Sequence, residues 1–299
     1  MKQKLLVILG PTATGKTALA IELARALDGE VVSADSRQIY RGLDLGTGKA
    51  TKREMRGVPH HLLDVASPKR QFSAAEYAVL AREAIAGIAA RGKLPIVCGG
   101  TGFYIDALLG LSLPDVQPNE ALRKKLAQKT APALFAMLEK LDPQRAKAMD
   151  PNNKVRIIRS IEIAQSLGRV PALSRTDSPY QTLTLGLDMP DATLRERIAR
   201  RLDVRLKHGM LKEAERLHAA GLSWKRMREL GLEYRSMAEY LTKKTDRTAF
   251  VHSILTESWR YAKRQRRWFR RNTDVIWLDP NAKTSAKKAE ALAKKFLKS

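Results

Sequence analysis

The sequence GPTATGKT at residues 10–17 constrains the fold of this chain more than any other feature. It matches the pattern G-x-x-x-x-G-K-[ST] in the setting that the pattern needs. Residues 4–9 form an apolar run typical of a buried parallel strand, and residues 18–27 place leucines along one helical face. A glycine turn without a ligand would explain the glycines but not the adjacent lysine and threonine. The sequence therefore predicts a strand, a phosphate-binding loop (P-loop) and a helix in succession.

A loop of this kind binds phosphate because its backbone N–H groups turn inward at the positive end of the following helix. We expect the Lys16 side chain to reach the outer phosphates and the Thr17 hydroxyl to hold Mg²⁺. The pattern does not distinguish a nucleotide from another diphosphate. The predicted diphosphate-binding residues are Gly10, Pro11, Thr12, Ala13, Thr14, Gly15, Lys16 and Thr17, with Thr17 as the metal ligand.

The charge of the chain points to a polyanionic partner. There are 55 Lys and Arg residues against 31 Asp and Glu, a net charge of +24 over 299 residues. An excess of this size is typical of proteins that bind nucleic acid, although a generally basic proteome is an alternative explanation. Cys98 is the single cysteine, which excludes an internal disulfide. No segment approaches the roughly 18 apolar residues of a membrane span, so we expect a cytoplasmic protein.

Two polar residues follow further predicted strands. Asp35 comes after a short apolar strand at residues 30–34, and Thr101 follows the strand at 94–97 and a pair of glycines. The carboxyl ends of parallel strands border the ligand crevice, which makes both residues candidates for a site. An N-cap or turn role is the alternative for Asp35. P-loop ATPases carry a Mg²⁺-binding aspartate on a strand of this kind, and its absence here argues against a standard ATPase.

The remaining patterns predict mainly helices. We interpret His60 and His61 as packing or hydrogen-bonding residues, because no third ligand lies at metal spacing. A capping box at 73–76 opens a helix that ends near 91. Further along, the patterns predict an irregular active-site loop at 41–68, a linker at 111–119, charged helices over 120–153, a helix at 155–167, a strand at 182–187, one long helix from 194 towards 218 and a last strand at 275–278.

Residues 246–271 form the most informative basic helix. Arg260, Arg264, Arg267 and Arg271 recur at helical spacing and give one continuous basic face, which suits a nucleic-acid backbone. We assign the aromatic residues Trp259, Trp268 and Phe269 to core packing.

Three function classes fit these features. One is a P-loop kinase of a small metabolite, the second is an enzyme that uses the cradle for a diphosphate and acts on RNA, and the third is a non-catalytic RNA-binding ATP switch. The charge excess argues against the kinase, and the missing aspartate argues against a switch driven by hydrolysis.

Five linked motifs make this chain resemble the tRNA dimethylallyltransferase family, bacterial type. Besides the P-loop, they are SADSRQIY at 33–40, PHHLLD at 59–64, GGT at 99–101 and KRQRRWFR at 263–270. The resemblance implies transfer of a five-carbon allyl group from dimethylallyl diphosphate, with Mg²⁺, to the exocyclic amine of an adenosine. That adenosine lies next to the anticodon on its 3′ side. Relatives that prenylate free adenine nucleotides are the nearest alternative.

The resemblance also implies residue roles. Asp35 matches the general base, Thr101 a residue at the reacting centre, and Lys16 a group that neutralises the departing diphosphate. We expect the following residues to contact the tRNA anticodon stem-loop. The resemblance implies Asp35, Ser36, Arg37, Gln38, Thr101, Arg123, Arg159, Ser160, Ile161, Glu162, Ile163 and Arg228, and the basic helix adds Arg264 and Arg267. The assignment of Arg228 competes with Arg226, because the segment at 228–235 is two residues longer than the family's element.

The expected fold is α/β, a P-loop NTPase-like parallel sheet flanked by helices, with a mostly helical insertion domain. The expected organisation is a first core part at 1–111, a tRNA-gripping helical insertion at 112–185 and a second core part at 186–299 with basic C-terminal helices. We expect a monomer.

Overall fold

A parallel sheet organises the computed structural model, which describes residues 2–299. Across that range the sheet has six strands in the order β3-β2-β4-β1-β5-β6, and every neighbouring pair is parallel. The predicted α/β class with a P-loop-type sheet is therefore confirmed. The strands are β1 (Gln3–Leu9), β2 (Gly29–Ser33), β3 (His60–His61), β4 (Leu94–Gly99), β5 (Tyr180–Leu187) and β6 (Ile276–Leu278).

The register places the carboxyl ends of the central strands together. Leu9 of β1 pairs with Gly99 of β4, and Ser33 of β2 pairs with Cys98. Residues that follow these strands therefore emerge at one edge of the sheet, where parallel folds bind their ligands.

The helices cover both faces of the sheet, as buried parallel strands require. Their bounds are α1 (Lys16–Ala26), α2 (Lys52–Met55), α3 (Ala74–Ala90), α4 (Gly102–Leu108), α5 (Glu120–Ala127), α6 (Ala131–Leu141), α7 (Pro143–Lys147), α8 (Lys154–Leu167), α9 (Asp191–Lys207), α10 (Met210–Ala219), α11 (Trp224–Glu229), α12 (Leu232–Leu241), α13 (Arg247–Phe269) and α14 (Ser285–Lys298).

Alternate residues of β1 belong to two cores. Leu5, Val7 and Leu9 pack with residues of α3, α4 and α10–α13, whereas Leu6 and Ile8 pack with residues of α1 and α14. This alternation follows from the two-residue period of a strand. The predicted strand and helix on either side of the P-loop, the capping box at Ser73 and the basic helix are all confirmed.

The single long helix predicted from 194 towards 218 was wrong. The chain forms α9 and α10, which are separated at His208 and Gly209. Gly209 has a φ of 95°, a left-handed conformation that ends a helix and that glycine adopts without steric cost. The periodicity of apolar residues continues across this break, and it therefore concealed the turn.

Residues 110–177 form a compact helical unit of their own, and residues 2–109 with 178–299 form the other unit. Within the helical unit, α5, α6, α7 and α8 surround a small apolar core that includes Leu134, Leu138 and Ile157. Within the described residues, no helix is both long enough and apolar enough to cross a membrane.

Candidate active site

The P-loop connects β1 to α1 through strained backbone that its glycines allow. Gly10 has a φ of 145° and Gly15 a φ of 92°, both unfavourable for residues with a Cβ. A Cβ at Gly10 would lie 2.3 Å from the carbonyl oxygen of Leu187, so only glycine lets β5 approach this closely. The loop closes on itself, because Thr14 Oγ1 and Lys16 Nζ donate to the Pro11 carbonyl at 2.8 and 2.7 Å.

Lys16 lies in an environment that weakens its hold on a proton. Burial, with a smaller contribution from the neighbouring Arg201 guanidinium, lowers the pKa of Lys16 to about 8, whereas Cys98 and Asp35 act in the opposite direction. Burial also raises the pKa of the Cys98 thiol to about 12, so that thiol is neutral near pH 7. A dianionic ligand beside Lys16 would favour the charged ammonium, because an opposite charge within a few ångströms raises a lysine pKa.

Asp35 and Thr101 lie at the ends of adjacent strands. The Ala34 N–H donates to the Cys98 carbonyl at 2.8 Å, and the Thr101 N–H donates to the Ala34 carbonyl at 3.1 Å. A Cβ at Gly99 would meet the Ala34 oxygen at 2.1 Å, which explains the glycine before this turn. The sequence therefore brings the two candidate residues together, as predicted from the strand ends.

Local hydrogen bonds orient both side chains. Asp35 Oδ1 accepts from the backbone N–H groups of Arg37 and Gln38 at 2.8 and 3.3 Å, an aspartate turn that fixes the carboxylate. Thr101 Oγ1 accepts from the Ser36 N–H at 3.0 Å and lies 3.3 Å from Ser36 Oγ. The other Asp35 oxygen stays available to a proton donor on a ligand.

Arg201 is a site residue that sequence reasoning missed. Its Nη1 donates to Thr12 Oγ1 of the P-loop at 3.2 Å, and its Nη2 donates to the Gly48 carbonyl at 2.9 Å. A Cβ at Gly48 would lie 1.9 Å from Nη2, so the loop that contains Gly48 is shaped around this guanidinium. The signal was present as a cluster of arginines at 195–205, but the pattern did not indicate which of them faces the P-loop.

Gln265 connects the two glycine turns. Its Oε1 accepts from the Thr12 N–H at 2.8 Å, and its Nε2 donates to the Gly100 carbonyl at 2.8 Å. Near it on α13 lies Tyr261; burial, followed by the Asp35 charge, raises the pKa of Tyr261 to about 12, and Thr101 acts in the opposite direction. Sequence reasoning also missed these two residues, because the functional interpretation of this segment was based on the arginines around them.

The predicted basic face of α13 is exposed. Arg260, Arg264, Arg267 and Arg271 all point to solvent, and Arg271 stacks 3.9 Å from the Trp268 ring. The intervening aromatic residues pack as predicted: Trp259 and Phe269 are buried, and Trp268 donates to Asp106 at 3.0 Å. The use of the arginine face for tRNA remains a prediction.

The predicted tRNA residues near Asp35 are only partly buried. Ser36, Arg37 and Gln38 form the turn that follows Asp35.

In the helical unit, Arg123 and Arg159 both bind the buried Glu162, Arg123 at 2.8 Å through Nη2. Ser160, Ile161 and Ile163 are buried within α8, and all six residues, Glu162 included, remain predictions as tRNA contacts.

Both candidates in the 226–235 segment have protein partners. Arg228 pairs with Glu239 and donates to Thr242, whereas Arg226 donates to the Pro68 and Arg70 carbonyls at 2.9 and 2.6 Å. A phosphate contact by either arginine remains a prediction.

Both histidines make hydrogen bonds, as the sequence interpretation expects. His61 hydrogen-bonds with Glu30 at 2.6 Å, and His60 with the Val58 carbonyl at 2.8 Å. Within residues 2–299, no group of three or more His, Cys, Asp or Glu side chains could hold a metal ion. Thr17 is exposed at the start of α1, which fits a Mg²⁺ ion held mainly by diphosphate oxygens and water.

The assembled groups suit displacement of a diphosphate. A cationic cradle made by the P-loop, Lys16 and Arg201 lies near an oriented carboxylate, Asp35, and a hydroxyl, Thr101. The cradle can stabilise negative charge on a leaving group, and the carboxylate can accept a proton from a nucleophile.

Known proteins share this architecture. The sequence model of a family described as IPP transferase matches residues 38–272. A tRNA dimethylallyltransferase from Roseiflexus sp. (strain RS-1) is 40% identical over 300 residues, which cover 98% of each chain. The crystal structure of a full-length tRNA isopentenylpyrophosphate transferase from Bacillus halodurans is 37% identical, with a TM-score of 0.75 and coverage of 99% of this chain and 97% of that one. A eukaryotic dimethylallyltransferase structure, solved in action on tRNA, is 25% identical with a TM-score of 0.83, covering 99% of this chain and 80% of that one.

Proposed function

Because this chain belongs to the IPP transferase family, it is a tRNA dimethylallyltransferase, and we propose that dimethylallyl diphosphate is its donor and that Asp35 is its general base. The acceptor is the exocyclic amine of the adenosine on the 3′ side of the anticodon. The product is N6-isopentenyladenosine.

The observation that carries this proposal is the position of Asp35 and Thr101 at strand ends beside the P-loop. Ala34 links the ends of β2 and β4 by backbone hydrogen bonds, and Gln265 links the P-loop to Gly100. An acceptor amine at Asp35 and a diphosphate in the cradle would therefore lie close together. Proximity of this kind removes much of the entropic barrier to a reaction between two substrates.

The proposed reaction is a single displacement. The adenine nitrogen forms a bond to the first carbon of the dimethylallyl group, and the bond from that carbon to the diphosphate oxygen breaks. Asp35 accepts the proton that the nitrogen loses. Lys16, Arg201 and the inward N–H groups of the P-loop stabilise the charge that develops on the departing diphosphate. The Thr17 hydroxyl would hold Mg²⁺, which would supply further neutralisation of that charge.

Thr101 acts at the reacting centre in this proposal. Its hydroxyl accepts from the Ser36 N–H and lies within hydrogen-bond distance of Ser36 Oγ, which fixes its position. From there it can donate to the bridging oxygen of the diphosphate or to a neighbouring phosphate oxygen.

The basic face of α13 is the proposed contact to the tRNA backbone, together with the turn at 35–38 and the helical unit. The net charge of +24 supports a large polyanionic substrate over a free nucleotide. The proposal also includes a monomer, and a cytoplasmic location, where tRNA would be available as a substrate.

A comparison of acceptors tests the proposal. The protein is incubated with dimethylallyl diphosphate and Mg²⁺, and with either tRNA or AMP. Efficient transfer to tRNA and little to AMP is the expected result, and a preference for AMP would support the adenylate-prenylating alternative. Replacing dimethylallyl diphosphate by ATP tests the kinase alternative, since phosphoryl transfer to a small metabolite would contradict the proposal.

A further inference from the structure

Glu233 is a carboxyl group that the proposed mechanism does not use. It lies in the first turn of α12, directly after Gly231, whose φ is 126°. A Cβ at Gly231 would lie 3.2 Å from Arg37 Nε, so the start of α12 touches the turn that orients Asp35. The fold therefore brings Glu233 to the neighbourhood of the proposed general base.

The contacts of Glu233 leave its oxygens with unused acceptor capacity. Arg205 Nη1 is 3.6 Å from Glu233 Oε1, which is within ion-pair range but too long for a hydrogen bond. Arg205 instead donates to the Gly46 carbonyl at 2.8 Å. The Glu233 side chain is 21% exposed, so a ligand can reach it. A carboxylate accepts several hydrogen bonds, and the backbone N–H of Glu233 itself supplies one to this side chain, so positions remain for a donor on a ligand.

Charge interactions connect Glu233 with Asp35 and with the groups around it. Burial raises the pKa of Glu233 against the opposing effects of Arg205, its own backbone N–H and Arg201, and the Asp35 charge adds to the rise. The charges of both carboxyl groups also act on Arg201, which contacts the P-loop, and on Tyr261 of α13. Glu233 thus lies within electrostatic range of the groups assigned to diphosphate and to the reacting centre.

We propose that Glu233 is a second carboxylate of the acceptor pocket, where it accepts a hydrogen bond from a donor of the acceptor nucleoside. This inference rests on the proposed function. The nucleoside offers two suitable donors, the exocyclic amine and the ribose 2′-hydroxyl. The amine carries two N–H groups: Asp35 takes the proton of one, and Glu233 accepts a hydrogen bond from the other if the amine is the donor. Arg205 holds the carboxylate in place by charge.

A purely structural role for Glu233 makes a different prediction. In that case the carboxylate only balances the buried Arg205, which stabilises the loop at 44–48. Its removal would then lower stability and overall activity by the same factor for every RNA. The binding role instead couples Glu233 to one chemical group of the RNA, and this coupling is the measurable difference.

The test uses the full-length protein and three anticodon stem-loop RNAs. One carries adenosine at the acceptor position, the second 2′-deoxyadenosine and the third purine riboside, which lacks the amine. The dissociation constant is measured for all three with wild type, Glu233→Met and the charge-neutral Glu233→Gln. Glu229→Met is the matched control, because Glu229 is an exposed glutamate on neighbouring α11 that pairs with Arg226.

Wild type and Glu229→Met should bind one of the two modified RNAs about 10- to 100-fold more weakly, the range expected for a hydrogen bond to a charged group. Glu233→Met should bind unmodified RNA more weakly than wild type does. It should show no further loss with the 2′-deoxy RNA if the hydroxyl is the donor, and a smaller loss than wild type with the purine riboside RNA if the amine is the donor, because Asp35 still interacts with the amine. If Glu233→Met does not fold, Glu233→Gln takes its place, because it keeps the shape of the side chain. Its loss of affinity for the modified RNA should be smaller than the loss in wild type.

Equal penalties in wild type and in a folded Glu233 variant would overturn the inference alone. Failure of the wild type to prenylate the unmodified stem-loop or to bind it would refute the proposed function, and the inference with it.

Discussion

Lys16 makes diphosphate binding dependent on pH. The buried ammonium has a pKa of about 8 in the free protein, and a bound diphosphate raises that pKa by its negative charge. Only the charged form of Lys16 binds the ligand well. Affinity is therefore highest below pH 8 and falls as the pH rises through 8. With one titrating group, dimethylallyl diphosphate affinity should fall about 10-fold between pH 7 and pH 9, equivalent to ~1.4 kcal/mol.

Isothermal titration calorimetry at constant Mg²⁺ and without tRNA measures this effect. Comparison of buffers with different ionisation enthalpies gives the proton uptake, which should be about 0.5 per ligand at pH 8 and about 0.9 at pH 9. Other groups interfere little, because the pKa values of Cys98 and Tyr261 are both about 12. The terminal ionisation of a phosphate group lies near 6, so the ligand itself changes little above pH 7.

Lys16→Arg is the control for this titration. Its guanidinium stays charged throughout the range, so the pH dependence between 7 and 9 should disappear even if the affinity itself changes. A constant affinity in the wild type, or the same fall in Lys16→Arg, would refute the assignment of Lys16 to the diphosphate.

Three further predictions test other parts of the site. Asp35→Asn should keep the fold and the affinity for dimethylallyl diphosphate but lower the rate of prenyl transfer about 10²–10⁴-fold, because the amide cannot take the proton. A single-turnover rate within a few-fold of wild type would remove Asp35 from the mechanism. The double variant Arg264→Ala, Arg267→Ala should lower tRNA affinity without altering binding of dimethylallyl diphosphate alone. The slope of log affinity against log salt concentration should fall in magnitude by roughly 0.7–0.9 per lost phosphate contact. An unchanged slope would assign these arginines to solvation only. Gln265→Ala should lower the free energy of unfolding, measured by denaturant titration, by about 1–3 kcal/mol, since it leaves the Gly100 carbonyl and the Thr12 N–H without their partner. A smaller loss would mean that water replaces the amide.

The parts of the site that were predictable from sequence depend on local rules. The P-loop needs glycines at positions of positive φ and a lysine next to the helix start, and these stand in a contiguous pattern. Asp35 and Thr101 were found because parallel strands end at a common edge. Neither inference required knowledge of how distant segments pack.

The parts that were not predictable depend on contacts between distant segments. Arg201 differs from Arg195 or Arg197 only in which side of α9 meets the P-loop, and that side is fixed by packing against α13. Glu233 and Gln265 likewise acquire their surroundings from segments far away in sequence. The break at Gly209 was missed for another reason, since a glycine inside a periodic apolar pattern does not identify its own φ.

The central claim is that this protein prenylates one adenosine of tRNA, and mass analysis of the reacted tRNA tests it most directly. Unmodified tRNA is incubated with the protein, dimethylallyl diphosphate and Mg²⁺, then digested to oligonucleotides and to nucleosides. We predict N6-isopentenyladenosine in the nucleoside digest, and a mass gain confined to the oligonucleotide that contains the adenosine 3′ to the anticodon. Unmodified nucleosides throughout, or prenylation at other adenosines, would contradict this account.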